Sequence, residues 1–171
     1  LSAAIRPDTI LVSTMWVNNE MGAIEDIPAI AKLVKEKNPR TYFHTDAIQA
    51  YGKLTLRPKE AGIDMLTVSG HKLHGPKGTG FMYINEKVHI SPIIMGGGQQ
   101  KDRRSGTENV PGIAGLGLAA ELYKREHNSI NERMLAVKDR LIDRLSKMEG
   151  VTINSEKGTL SAPHIVSASF E

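Results

Sequence analysis

Lys72 stands in the string Ser69-Gly70-His71-Lys72, directly after the apolar run Asp64–Ser69. A lysine amine that is held and partly desolvated attacks carbonyl carbons and forms Schiff bases. Most lysines are surface groups with no such role, and the place at the end of an apolar run sets this one apart. Asp46 closes a second apolar run, Phe43-His44-Thr45-Asp46-Ala47. A carboxylate there can pair with a cation, bind a metal, or cap a helix that begins near Ala47. His71 can stack on an aromatic ligand, bind phosphate or move protons, although a lone histidine is more often a satisfied structural one. His44, His74, His89, His127 and His164 are read as structural. His44 and Asp46 have no third ligand at a workable spacing, so no metal site is expected. The glycine run Gly96-Gly97-Gly98 and the string Ser105-Gly106-Thr107 can offer amides and hydroxyls to a phosphate. The planar fork of Arg104 suits a carboxylate or a phosphate.

These residues need elements to hold them. Thr9–Val17 reads as a buried strand, followed by the polar loop Asn18-Asn19-Glu20-Met21-Gly22. Asp26 can cap a helix that carries Ile27, Ile30, Ala31 and Val34 on one face and stops at Asn38-Pro39. Thr41–Thr45 is a second strand, and strand, helix, strand with short links predicts a parallel right-handed βαβ unit. Asp64–Ser69 is a third strand. Phe81–Ile84 is a fourth, after the turn-rich Gly75–Gly80. An irregular segment runs from Gly96 through Thr107. A helix is expected over Glu108–His127, with Gly112, Gly115 and Gly117 marking close packing. Ser129-Ile130-Asn131-Glu132 reads as a capping box. The helix it opens groups Met134, Leu141, Leu145 and Met148 on one face and ends at Gly150. His164–Phe170 reads as a strand.

The class is α/β with a substantially parallel sheet. Ligands of such sheets lie beyond the carboxyl ends of the strands. Three strands deliver polar groups there: Asn19 after the first, Asp46 after the second, and Ser69, His71 and Lys72 after the third.

The 171 residues are of ordinary single-domain length and contain no cysteine. A disulfide framework, a thiolate metal site and a cysteine nucleophile are therefore excluded within them. Net charge is +3, and the densest basic cluster is only Lys101, Arg103 and Arg104. No nucleic-acid motif accompanies it, so no direct nucleic-acid partner is expected. No apolar run approaches the ~20 residues of a membrane helix, so no membrane partner is expected. No targeting signal is evident, and a cytoplasmic location is expected.

An aspartate and a lysine at neighbouring strand ends suit pyridoxal phosphate. The carboxylate keeps the ring nitrogen protonated, and the protonated ring is an electron sink. The motifs, in order, are Val17-Asn18-Asn19-Glu20-Met21-Gly22, His44-Thr45-Asp46-Ala47-Ile48-Gln49, Ser69-Gly70-His71-Lys72, Gly75-Pro76-Lys77-Gly78, Gly96-Gly97-Gly98-Gln99 and Arg104-Ser105-Gly106-Thr107-Glu108-Asn109. In that order, from about Pro7 to Phe170, the chain resembles the cysteine desulfurases of the NifS and IscS type. These are pyridoxal 5'-phosphate enzymes of the class-V aminotransferase group with the fold-type-I architecture. The resemblance implies that Lys72 holds the cofactor as a Schiff base and moves protons. It implies that Asp46 pairs with the pyridine nitrogen and that Gln49 hydrogen-bonds the ring's phenolic oxygen. By the same resemblance Asn19 lies near the ring and the substrate carboxylate, and Ser69 and His71 hold the phosphate. Thr107 would bind phosphate across a homodimer interface, and Arg104 would help that segment or the substrate. The implied reaction converts L-cysteine to L-alanine and leaves a persulfide on an enzyme cysteine. The sulfur then goes to an acceptor protein such as an iron–sulfur scaffold or a tRNA-thiolation enzyme.

Two other readings remain at this level. One is a different class-V enzyme, such as a selenocysteine lyase, a kynureninase or an aminotransferase. The other is a non-catalytic scaffold that keeps the fold. The resemblance further implies that residues 1–107 are the C-terminal part of the cofactor-binding large domain. Residues 108–150 would then be helices linking the domains, and residues 151–171 the start of a small one. The family's persulfide cysteine and its ring-stacking histidine have no counterpart here, so the 171 residues are expected to be a fragment that is inactive alone. The purified 171-residue chain should release neither sulfide nor alanine from L-cysteine, and release of both would contradict this expectation.

Overall fold

Four short runs rich in β-branched and aromatic residues pair side by side in the computed structural model, which describes all 171 residues. They are β1 (Leu11–Met15), β2 (Tyr42–Asp46), β3 (Met65–Ser69) and β4 (Gly80–Ile84), in the sheet order β1-β2-β3-β4. β1 and β2 are parallel with Met15 opposite Asp46, and β2 and β3 are parallel with Asp46 opposite Thr67. β1 and β2 therefore end level along one edge, and β3 runs two residues further, to Ser69.

β4 runs antiparallel to β3, so the sheet is mixed rather than parallel throughout. The reason lies in the connection. A parallel return needs a crossover of about a dozen residues or more. The chain here makes one 3-10 turn (Gly70–Leu73) and comes straight back. Gly80 permits the return, since a Cβ there would lie 2.4 Å from the carbonyl oxygen of Val68.

The β1–β2 crossover is α1 (Ile27–Lys37). Asp26 caps it by accepting from the Ala29 amide at 3.1 Å. Ile27, Ala31 and Val34 bury against Phe43, Leu66 and Val68, as their helical spacing predicts. The Asp64 carboxylate accepts from the Phe43 amide at 2.7 Å and from Lys35 Nζ at 2.6 Å, tying α1, β2 and the start of β3 together. The expected burial of the first strand fails at its start. β1 has a neighbour on one side only, and Ile10 and Leu11 are exposed.

A single turn, α2 (Gln99–Asp102), interrupts the irregular segment, and Gln100, Lys101 and Asp102 adopt positive φ there. α3 (Val110–Arg125) begins two residues later than expected. Asn109 caps it by accepting from the Gly112 amide at 3.1 Å. Gly112 and Gly115 pack closely against Thr79 and Pro76, whereas Gly117 faces open space.

The expected capping box is absent. α4 (His127–Leu145) starts after Glu126 with no side-chain cap, and Ser129 and Asn131 lie inside it. Docking replaces the cap: His127 Nδ1 donates to the Gly52 carbonyl at 2.8 Å, and Asn131 Nδ2 to the Lys53 carbonyl at 2.8 Å. The residues of α4 that bury are Lys138 and Ile142, not the expected apolar group, since Leu141 stays exposed and Met148 is exposed beyond the helix end. The helix also stops short of Gly150, which turns the chain into β5 (Val151–Ile153). β5 pairs antiparallel with β6 (Ala168–Phe170). The predicted strand over His164–Phe170 thus keeps only its last three residues.

Phe43 is fully buried at the centre of the main core. Phe43→Ala should cost about 3–5 kcal/mol in urea unfolding. Ile10→Ala, at an exposed position, should change stability by less than about 0.5 kcal/mol.

Candidate active site

The edge where β1, β2 and β3 end turns polar at three neighbouring points. After β1 the chain enters the loop 18–22. Asn18 Oδ1 accepts from the amides of Glu20 and Met21 at 2.9 and 2.8 Å and shapes the loop. Asn19 is exposed on it, with Nδ2 donating to Glu20 Oε1 at 2.8 Å.

β2 ends at Asp46. One carboxylate oxygen, Oδ1, accepts from the Ile48 amide at 2.8 Å, and Oδ2 accepts no hydrogen bond from the protein. Capping and cation pairing are therefore compatible, because each uses its own oxygen. The capped turn carries Gln49, which is 7 % exposed. Gln49 Oε1 meets His164 Nε2 at 3.1 Å. An amide oxygen only accepts, so His164 carries its hydrogen on Nε2. The carboxamide N–H donors of Gln49 have no protein partner and remain available to a ligand.

β3 ends at Ser69 and passes into the turn Gly70–Leu73. The Gly70 amide donates to the Thr79 carbonyl at 2.8 Å, and the Gly75 amide to the Gly70 carbonyl at 3.0 Å. Leu73 points inward and packs with Leu116, Ala119 and Tyr123. His71 and Lys72 are exposed on the opposite side. The turn thus uses one apolar anchor to hold two polar groups outward.

Around this edge the electrostatics are positive. Lys53 is 5 % exposed. Its Nζ donates to the Lys72 carbonyl at 2.7 Å and stands 5.2 Å from the centre of the Tyr123 ring. No carboxylate pairs with it. Burial, and then the charge of Lys72, push its ammonium down to about 8. Lys138 is buried too, donating to Ser161 Oγ and to the Ala162 carbonyl, and burial lowers it. Burial, with the charges of Lys53, Lys72 and Lys138, pushes His164 down to about 4. His164 is therefore neutral near pH 7, and its buried Nδ1 has no partner.

Asp46, Gln49, Ser69, His71 and Lys72 thus stand on adjoining strand ends, with Asn19 on the neighbouring loop. Arg104 and Thr107 lie on the separate segment that leads into α3. Arg104 Nη1 donates to the Ser105 carbonyl at 2.7 Å, and Thr107 is exposed. No hydrogen bond joins either to the strand-end group. Among the histidines read as structural, His44 is satisfied by Ser13 Oγ at 2.7 Å and Thr67 Oγ1 at 3.1 Å, and His127 by the Gly52 carbonyl. His164 departs from that reading, because its partner is Gln49. Lys53 was not legible as a site residue: nothing in Gly52-Lys53-Leu54 distinguishes it from a surface lysine. The apolar flanks of His164, in Ala162-Pro163-His164-Ile165-Val166, were the one available signal of its burial.

The donor set fits pyridoxal 5'-phosphate. Asp46 Oδ2 is free for a protonated ring nitrogen, and the Gln49 N–H groups are free for a ring oxygen. The amine of Lys72 has no protein partner. The positive balance of Lys53, Lys72 and Lys138 favours an anionic ligand.

The depressed His164 sets a pH response. Its proton affinity is lower folded than unfolded, so its stability contribution is complete above about 6.5 and lost as the pH falls toward 4. Urea unfolding between those values should show a loss of stability in the wild type that is smaller in His164→Gln.

The family model for aminotransferase class-V matches residues 1–171. The cysteine desulfurase IscS of Methanosarcina thermophila is 46 % identical over 171 residues, covering 100 % of this chain and 42 % of that protein. A solved NifS-like protein superimposes with a TM-score of 0.93 at 38 % identity, over 99 % of this chain and 46 % of its own. The structure of SspA in complex with cysteine matches with a TM-score of 0.67 at 43 % identity, over 70 % of this chain and 35 % of its own. This chain therefore spans less than half the length of the relatives it matches. The expected fold-type-I architecture is the one found, and the chain belongs to the aminotransferase class-V family.

Proposed function

We propose that the full-length protein is a pyridoxal-phosphate-dependent cysteine desulfurase. The observation that carries this is the pairing of a free carboxylate oxygen on Asp46 with a free amine on Lys72 at adjoining ends of parallel strands. The class-V family membership and the similarity to a cysteine desulfurase and to a cysteine-bound SspA support the choice of substrate.

In this reading Lys72 binds the cofactor covalently, and Asp46 Oδ2 holds the proton on the pyridine nitrogen. Gln49 donates to the ring oxygen from the N–H groups that its bond to His164 leaves free. Ser69 and His71 bind the phosphate, and Asn19 orients the substrate carboxylate. Pyridoxal phosphate, when bound, withdraws electrons from the substrate α-carbon. Lys72 Nζ removes the α-proton and delivers protons to the product carbons. A thiolate attacks the sulfur of L-cysteine, so an S–S bond forms as the substrate's C–S bond breaks. L-Alanine leaves, and the sulfur stays as a persulfide. The 171 residues contain no cysteine, so that thiol lies outside them. A sulfur-acceptor protein, such as an iron–sulfur scaffold or a tRNA-thiolation enzyme, would then take the sulfur.

A homodimer accounts for Arg104 and Thr107, which serve no group on their own strand ends. Ile93 is 97 % exposed and Met95 78 % exposed, close before these residues, and Val110, Ile113 and Leu118 are exposed just after them. Such a surface suits a second copy, across which Thr107 would reach the partner's phosphate and Arg104 would brace that segment or the substrate. Residues 1–107 would form the later part of the cofactor domain, 108–150 the linking helices, and 151–171 the start of a small domain. No helix is long and apolar enough to cross a membrane, and we place the enzyme in the cytoplasm.

In the full-length protein, Lys72→Ala should abolish the visible absorption that appears on adding pyridoxal phosphate. It should also lower cysteine-dependent alanine and sulfide release by at least about 100-fold. Turnover of kynurenine or selenocysteine without any release from L-cysteine would overturn the substrate assignment.

A further inference from the structure

We infer that Lys53 is a positioning residue for Lys72: through its hydrogen bond to the Lys72 carbonyl, it fixes the turn from which the Lys72 amine reaches the cofactor. The inference rests on the reading of Lys72 as the cofactor lysine.

The turn Gly70–Leu73 is a single round of 3-10 helix, and the carbonyls at the end of such a helix lack partners within it. The Gly70 carbonyl accepts from the amides of His74 and Gly75. The Lys72 carbonyl is taken up by Lys53 Nζ at 2.7 Å, a charge-assisted bond and so a stronger one than a neutral amide would supply. Lys53 comes from the turn after β2, the one that also carries Gln49. The bond therefore joins the chain segments leaving two neighbouring strands, just beyond the edge where Asp46 and Lys72 stand.

Holding a cation at this position is costly. Lys53 is nearly fully buried, and no carboxylate neutralises it. Methionine would fill a similar volume without that cost. What lysine adds is a donor of the right length and a positive charge, and the Lys72 carbonyl is its only hydrogen-bond acceptor in the protein. Lys53 is in turn well supported. Its own carbonyl accepts from Asn131 and that of Gly52 from His127, both on α4, while Tyr123 of α3 faces the ammonium. Two helices hold Lys53, and Lys53 holds the turn of Lys72. Leu73 anchors the same turn from its apolar side, but a packed leucine leaves rotation about the anchor open, and the directed bond to the preceding carbonyl removes it.

The test uses the full-length protein, with pyridoxal phosphate added to the cofactor-free form. Attachment is followed by its visible absorption, and the geometry of the bound ring by visible circular dichroism. Lys53→Met should keep the wild-type far-ultraviolet spectrum. It should attach the cofactor about 10- to 100-fold more slowly, the cost of a misplacement of up to ~1 Å, and should change the visible dichroism. Lys53→Arg keeps a charged donor and should restore most of the rate. Attachment by Lys53→Met at the wild-type rate with unchanged dichroism would overturn the inference. If Lys53→Met does not fold, Lys53→Gln decides: slowed attachment supports the role of the charged donor, and a wild-type rate overturns it. Lys72→Ala run alongside separates the two readings. Continued attachment in Lys72→Ala defeats the assignment of the cofactor lysine itself. Its loss there, with Lys53→Met unaffected, defeats only the role given to Lys53.

Discussion

Parallel register is the constraint on which the site depends. Met15, Asp46 and Thr67 lie opposite one another across β1, β2 and β3, so β1 and β2 run out at the same level and β3 only two residues beyond it. Side chains alternate faces along a strand, and a slip of one residue in β2 would turn Asp46 to the opposite face and Thr45 into its place. The register is held from beneath by the core. Phe43 and Thr45 are fully buried on one face of β2, and the Asp64 carboxylate fixes the Phe43 amide at the start of the same strand. Packing at one end of the strand thereby sets the chemistry at the other.

Burial and charge set the second layer of order. Burial is the larger cause that lowers the proton affinity of His164, and the charges of Lys53, Lys72 and Lys138 add to it. A protonated imidazole is excluded there near neutral pH, and the neutral ring offers one donor and one acceptor. With the donor committed to Gln49 Oε1, the amide of Gln49 has a single orientation. The bond from His164 Nε2 thus decides which atoms of Gln49 stay free.

Features carried by neighbouring residues were legible in the sequence. The cap at Asp26, the helix stop at Asn38-Pro39, the parallel βαβ unit, and the placing of Asp46 and Lys72 at strand ends all follow from local pattern. What was not legible depends on distant partners. Lys53 acts on a residue 19 positions away and His164 on one 115 positions away, and neither lies in a distinctive string. The misplaced start of α4 has the same cause. Ser129 and Glu132 have the spacing of a cap, but Asn131 and His127 are committed to the carbonyls of residues 52 and 53, which pulls the helix start to His127. The fourth strand reversed for want of a crossover, something its own composition does not reveal.

In the proposed reading, the residues at the strand ends build the fold and carry the chemistry with different atoms. Asp46 Oδ1 closes the turn that presents Gln49, while Oδ2 stays open. The Lys72 carbonyl anchors its turn to Lys53, while the amine stays open. Gln49 gives its oxygen to His164 and keeps its N–H groups. In Asp46 and Lys72 one polar atom is consumed in holding the backbone, and in Gln49 in a bond to another side chain, while a second polar atom stays free. Pre-organisation of this kind needs no additional scaffold around the ligand.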